Sequence, residues 1–373
     1  MKVNLHPRKG LLFNAYLLMF FIHKVQTGIG IVGLPRIVYL ESKHDAWISV
    51  FLAGVFTSIV IFVMFLMLKQ YDSADLYGIQ VDVFGKWIGN LLNIAYMVYL
   101  SACFFTIFMN YIEIVQVWIF PNLPAWQLSL VLIALAVYAV QGGVRIVVGF
   151  AFLGVIGTVW LGTILVVPMK YADTTHIFPI FNVDIKHLVK GIYRSSLSMM
   201  GFELLMFFYP FVKDRKNMLL YAQIGNLYTT FLFTVVTLVS IMFFAEDSLA
   251  RTIWPVLSMF KIVRLPNLER FEFIAVSFWM LIILPNMGAY LWAASKGFSR
   301  VVKWKQKHGI WIIGVLAWGL AFFIHSRMQM NMVTDYVAKM GFVLAFCYPL
   351  LLTAIVLVKK RLVRRKEANA QGL

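Results

Sequence analysis

The chain is poor in charge. Of its 373 residues only 16 are acidic, charged residues of both signs make up 13%, and just two cysteines occur. A soluble globular domain carries roughly a quarter charged residues, so an ordinary water-soluble fold is excluded. Cys103 and Cys347 both fall within apolar stretches and supply neither a disulfide framework nor a metal-ligand spacing. The GxSxG elbow, the Walker A loop and the HExxH motif are all missing, which removes the usual grounds for an enzyme; no cofactor or metal is expected. The formal net charge of +17 does not point to nucleic acid, because no basic stripe with interleaved aromatics stands outside the apolar stretches.

Hydrophobic residues fill the space: they make up 61% of the chain, and the mean hydropathy is +0.83. Apolar stretches of about 20 residues, the length that crosses a bilayer as a helix, recur from end to end. They predict an all-α integral membrane protein with about ten spans, near 11–36, 46–68, 87–118, 126–142, 146–168, 190–212, 218–244, 271–296, 309–325 and 336–358. The first apolar stretch is too long for a signal-peptide core and is followed by no small-residue cleavage site, so it is expected to be retained. Residues 1–358 then form one polytopic transmembrane domain, and 359–373 a basic tail without apolar periodicity that is expected to be disordered. Apart from Lys24, which lies inside a span, placing the N-terminus in the cytoplasm gives twenty Lys and Arg in inner segments against twelve in outer ones. The positive-inside rule therefore predicts both termini cytoplasmic. The longest outer loop, 246–270, is apolar around Trp254-Pro255 and is expected to pack over the outer face as a cap or a lid.

Two of the spans are interrupted. Thr27-Gly28-Ile29-Gly30-Ile31-Val32-Gly33-Leu34-Pro35 breaks span one, and Ser195-Ser196-Leu197-Ser198-Met199-Met200-Gly201-Phe202-Glu203 breaks span six. Exposed backbone at membrane depth costs several kcal/mol and persists where it lines a cavity. A matched pair of broken helices points to a binding site near the bilayer midplane. Each break opens a run of five spans, and an odd number per half inserts the halves with opposite topology. The layout predicts a 5+5 inverted repeat, about 11–168 and 190–358. A break offers free amides at one half-helix and free carbonyls at the other, which suits the carboxylate and ammonium of an amino acid and also serves a neutral polar ligand.

Ionisable groups inside spans are expensive and point to function. Glu203 follows the second break and Lys24 precedes the first by about one turn. A Lys24–Glu203 pair across the bundle is one reading; the other has Lys24 snorkelling and Glu203 capping amides freed by the break. Tyr99 and Cys103 share one face of span three, and Asn286 and Tyr290 one face of span eight, just after Pro285. Either pair walls a pocket or simply packs against neighbouring helices. Glu113 and His23 read as structural.

The Gly28–Pro35 segment and Gly201-Phe202-Glu203 resemble the breaks of the amino acid–polyamine–organocation transporter superfamily. Leu34-Pro35-Arg36, Phe84-Gly85-Lys86-Trp87-Ile88-Gly89, Trp254-Pro255 and Glu269-Arg270-Phe271-Glu272 make the chain more specifically similar to the B subunits of bacterial spore germinant receptors, over its whole length. The resemblance implies a LeuT-like fold with the ligand between helices one, three, six and eight. The site would comprise Gly28, Tyr99, Cys103, Met200, Asn286 and Tyr290, with Thr27, Gly30 and Gly201 at the breaks. It further implies a complex with an A subunit and a lipoprotein C subunit in the spore inner membrane, where nutrient binding is signalled to the partners. Some proton-coupled members of the superfamily carry a lysine inside helix five; the span from Ile146 to Pro168 has none. A secondary amino-acid transporter using the same pocket is the alternative, and a scaffold or channel subunit with idle broken helices a third reading.

Overall fold

A computed structural model describes residues 3–263, 270–324 and 326–370. Lys2, Arg264, Glu269 and residues 371–373, which entered the charge count, the motifs or the tail above, lie outside them. The helices run in order as α1 (Leu17–Gln26), α2 (Gly30–Ser42), α3 (Ala46–Leu68), α4 (Leu76–Trp118), α5 (Ala125–Gln141), α6 (Val144–Thr163), α7 (Val166–Met169), α8 (Ile185–Ser198), α9 (Leu205–Phe208) and α10 (Met218–Phe243). They continue as α11 (Glu246–Arg251), α12 (Pro255–Phe260), α13 (Phe271–Val302), α14 (Gln306–Ala321), α15 (Arg327–Gly341) and α16 (Tyr348–Ala370). Among the described residues, six continuous helical stretches are long and apolar enough to cross a membrane, and shorter apolar helices cover 17–26, 125–141 and 202–211.

Span one is α1 plus α2 and span six is α8 plus the turn-rich segment around α9, each divided where the sequence places its break. The first break forms because Thr27 caps α1 twice, its N–H and its hydroxyl both donating to the His23 carbonyl. The second turns on Gly201, whose φ of +119° is open to glycine and whose added Cβ would lie 2.2 Å from the Val25 carbonyl. The two breaks thus touch backbone to backbone. Among the described residues the remaining spans are α3, α4, α5 and α6 in one half and α10, α13, α14 and α15 with α16 in the other, a ten-span, two-times-five arrangement.

The bundle is built around α13, which packs on α4, α6 and α5, and around α10, which packs on α3 and α1. Lipid tails give no hydrophobic drive between helices, so close approach and polar links hold them. A Cβ on Gly54 of α3 would lie 2.2 Å from Thr230 of α10. His23 Nδ1 lies 3.0 Å from the Thr229 hydroxyl, and Gln26 donates to Asn226 Oδ1 at 2.9 Å.

Three expectations change. Span three starts earlier than Trp87: α4 begins at Leu76, capped by Asp75 accepting from the Gly78 N–H, and bends at Gly85 (φ 78°). Span ten is longer than expected and includes a π-helical stretch, Phe342–Cys347, between α15 and α16. The tail is not disordered through its described part: α16 continues to Ala370. Lys, Arg, Glu and Ala are good helix formers, and Lys359 anchors the tail to Asp82 at 3.1 Å. The described part of the 246–270 loop, without residues 264–269, does pack on the bundle: α12 buries Val256, Leu257, Met259 and Phe260 against α2, α13 and α10. Arg327 lies over the Trp254 ring and bonds Glu113 at 3.0 Å.

Candidate functional site

Between the two breaks lies a cavity of about 260 Å³ that opens toward the end of the bundle carrying Arg194 and Asp335, the end that the charge pattern assigns to the outside. At the opposite end the path is closed. Arg300 and Asp75 form a buried ion pair at 2.8 Å, Tyr77 donates to the Ala293 carbonyl, and Phe208 packs on Trp292. The N-terminal segment adds to this closure through bridges from Asn4 to Ala74 and from Phe13 to Val212.

Six of the candidate residues border the cavity: Gly28, Gly30, Cys103, Met200, Asn286 and Tyr290. A Cβ on Gly28 would meet nothing within 4 Å, so the glycine opens directly onto empty space. Asn286 reaches from α13 to the first break, donating to the carbonyls of Lys24 (2.9 Å) and Thr27 (3.3 Å), which satisfies backbone the break set free. Met200 leans on the tenth span, where a Cβ on Gly341 would be 2.4 Å from its Sδ.

Thr27, Tyr99 and Gly201 do not border this cavity. Thr27 turns its hydroxyl back to His23, and Gly201 presses on Val25. Tyr99 is fully buried and serves Glu203 instead. Glu203 is fully buried. Its Oε1 accepts from the Tyr99 and Tyr290 hydroxyls at 3.0 and 2.9 Å, and its Oε2 from the Gly201 N–H at 2.7 Å. One carboxylate thereby joins spans three, six and eight just behind the cavity. The Lys24–Glu203 pair does not form: Lys24 Nζ donates to the Thr158 hydroxyl of α6 at 2.9 Å, and Lys24 does not snorkel, being 1% exposed. Glu203 instead takes the capping role.

Sequence reasoning missed Gln26 and Arg194. Gln26 borders the cavity, spends its amide on Asn226 and the Met199 carbonyl, and keeps a buried Oε1 with no hydrogen-bond partner among the described residues. Its signal was a polar residue one position before the break, overshadowed by Lys24. Arg194 counted only as an outer charge, whereas it lies at the cavity mouth within 3.4 Å of Glu41. The uncapped start of α2 and the end of α8 both border the cavity and lie against each other, a Cβ on Gly30 coming within 3.3 Å of Ser198 Oγ. Helix ends of these two kinds carry free amides and free carbonyls respectively. The cavity therefore adjoins one helix end of donor character and one of acceptor character.

The family model described as spore germination protein matches residues 13–333. The chain belongs to this family. Spore germination protein GerQB of Bacillus cereus is 36% identical over 94% of this chain and 97% of its own length. Spore germination protein A2 of Bacillus subtilis (strain 168) is 23% identical over 94% and 97%. Among solved structures, MhsT in complex with L-phenylalanine is similar with a TM-score of 0.63 at 15% identity, covering 92% of this chain and 87% of that one. At that identity the likeness establishes the LeuT-like fold. The resemblance seen in the sequence to spore germination proteins is thus borne out over nearly the whole chain, and an integral membrane protein of spore germination is what the fold and the relatives agree on.

Proposed function

We propose that this spore germination protein is the nutrient-sensing B subunit of a germinant receptor and that the cavity between the two breaks takes a small amino acid. The observation that carries the reading is the polarity of the cavity. Free amides at the start of α2 suit a carboxylate, while the carbonyl end of α8 and the unpartnered Gln26 Oε1 suit an ammonium. Ile29, Ile107, Val337 and Met200 add apolar wall that fits a short aliphatic side chain, among polar residues such as Thr106, Asn110 and Thr334. The shared fold with a protein solved in complex with L-phenylalanine supports the same ligand class.

Binding would draw the half-helices together and shift the population between two bundle states, by as much as the ligand prefers one state over the other. The moving units would be the repeats, about 11–168 and 190–358, with the residue 359–373 segment and the inner loops passing the change to an A subunit and a lipoprotein C subunit. The reading places the chain in the spore inner membrane with both termini cytoplasmic and no enzymatic step. Germination of spores across a panel of single amino acids and sugars tests it. A response to one amino-acid class that shifts to higher concentration with Gly28→Ala supports the reading. Unchanged germination on deletion of the chain contradicts it, and saturable uptake of the same amino acid into vesicles would assign the cavity to transport.

A further inference from the structure

A second cavity, of about 60 Å³, lies on the other side of α1, between α1, α6, α10 and α13 and beneath α12. Its wall is largely apolar, with Val155, Leu165, Val236, Phe260 and Ile282. Among the described residues no acidic side chain borders it. Lys24 does, and it is 1% exposed. An ammonium has three donors, and among the described residues the one hydrogen-bond partner of Lys24 Nζ is the Thr158 hydroxyl, which itself donates to the Gly154 carbonyl. Trp279 of α13 borders the same cavity, and its Nε1–H is buried with no hydrogen-bond partner among the described residues. Buried charges are normally paired, and buried donors normally bonded. Here two under-satisfied donors belong to residues that line one small, largely apolar space, whose other polar residues are His23, Thr27, Thr158 and Tyr228 and which offers them no carboxylate.

We infer that this cavity is a binding site for a small apolar carboxylate, a short-chain or branched-chain acid. Its carboxylate oxygens accept from Lys24 Nζ and Trp279 Nε1, and its hydrocarbon end lies among Val155, Leu165 and Val236. At about 10–15 Å³ for each water-sized position, the volume admits roughly four to six non-hydrogen atoms, the range from acetate to isobutyrate. The exposed side chains of Val159 and Tyr228 border it, which gives an approach from the flank of the bundle between α6 and α10. The Lys24 stem is fixed where α6 crosses α13: a Cβ on Gly154 would lie 2.9 Å from Lys24 Cε and 2.5 Å from the Leu281 carbonyl. A bound acid therefore ties α1 to α6 and α13, on the side of the first break away from the 260 Å³ cavity.

The test is thermal unfolding of the purified full-length protein in detergent, with sodium isobutyrate replacing sodium chloride at constant ionic strength and neutral isobutyramide as the isostere. The expected result is a saturable rise in Tm with isobutyrate, at least tenfold more isobutyramide needed for the same rise, and loss of the effect in Lys24→Met. Trp279→Phe, which removes only the N–H, should raise the half-saturating isobutyrate concentration several-fold and keeps the test alive if Lys24→Met does not fold. Met200→Trp, which obstructs the other cavity, should retain the isobutyrate response. Absence of a saturable rise over chloride in the wild type would overturn the inference. So would equal potency of the amide, a full response in Lys24→Met, or loss of the response in Met200→Trp.

Discussion

Removing the Glu203 carboxylate should be costly in a specific way. Glu203→Ala leaves the Tyr99 and Tyr290 hydroxyls and the Gly201 N–H without an acceptor, all of them buried. Each buried donor left unsatisfied costs about 1–3 kcal/mol, so the substitution should destabilise by about 3–9 kcal/mol, less whatever the tyrosines recover by turning. Glu203→Gln keeps one acceptor oxygen and places an amide against a donor, so it should cost roughly one such unit. The network predicts coupling. Tyr99→Phe alone loses a hydrogen bond to a charged group, about 1.5–3 kcal/mol, whereas in the Glu203→Ala background it removes an orphan hydroxyl and should cost nothing or stabilise. The assay is the fraction of protein remaining monodisperse after heating in detergent, for wild type, both single variants and the double variant, beside the germination response of spores carrying each. Wild-type stability and full response in Glu203→Ala, or additive effects of Tyr99→Phe and Glu203→Ala, would refute the assigned role of the carboxylate as a junction of three spans.

Gly28→Ala should fold normally, since its Cβ meets nothing within 4 Å. A methyl in the pocket is worth about 1–3 kcal/mol of binding, so the dose–response for the nutrient should move by roughly tenfold or more. Gly341→Ala should weaken the response without contacting the ligand, because its Cβ would displace the Met200 thioether at 2.4 Å toward the cavity; an unshifted dose–response in stably folded protein contradicts this. Gly201→Ala combines a φ of +119° with a 2.2 Å approach to the Val25 carbonyl and should abolish stable protein, read as loss from the membrane fraction. Arg300→Met leaves Asp75 buried without its ion partner and should cost about 3–5 kcal/mol, with increased reactivity of an inner-facing reporter thiol as the sign that the closed end has loosened.

The breaks were legible in the sequence because glycine and serine clustered inside an apolar run weaken the helix at that point, and the chain does leave the helix at both clusters. The walls were legible only as faces: Cys103, Asn286 and Tyr290 share helical spacing with residues that reach the cavity, but spacing carries no information about depth. Tyr99 shares a face with Cys103 yet does not border the cavity, its hydroxyl donating to Glu203 instead. The supposed Lys24–Glu203 pair shows the same limit. Charge complementarity suggested the partners, while the side of α1 from which Lys24 projects sends it to α6. The helical tail escaped notice because its charges read as solvated chain, whereas α16 enters it already formed and Lys359 finds Asp82 on a distant segment.

The central claim is that a small amino acid binds between the two breaks. Equilibrium binding of the radiolabelled amino acid that triggers germination, to purified wild-type protein and to Met200→Trp, measures it directly. The account predicts saturable binding by the wild type that is lost in Met200→Trp, while the variant remains monodisperse and in the membrane. Equal saturable binding by both would contradict it.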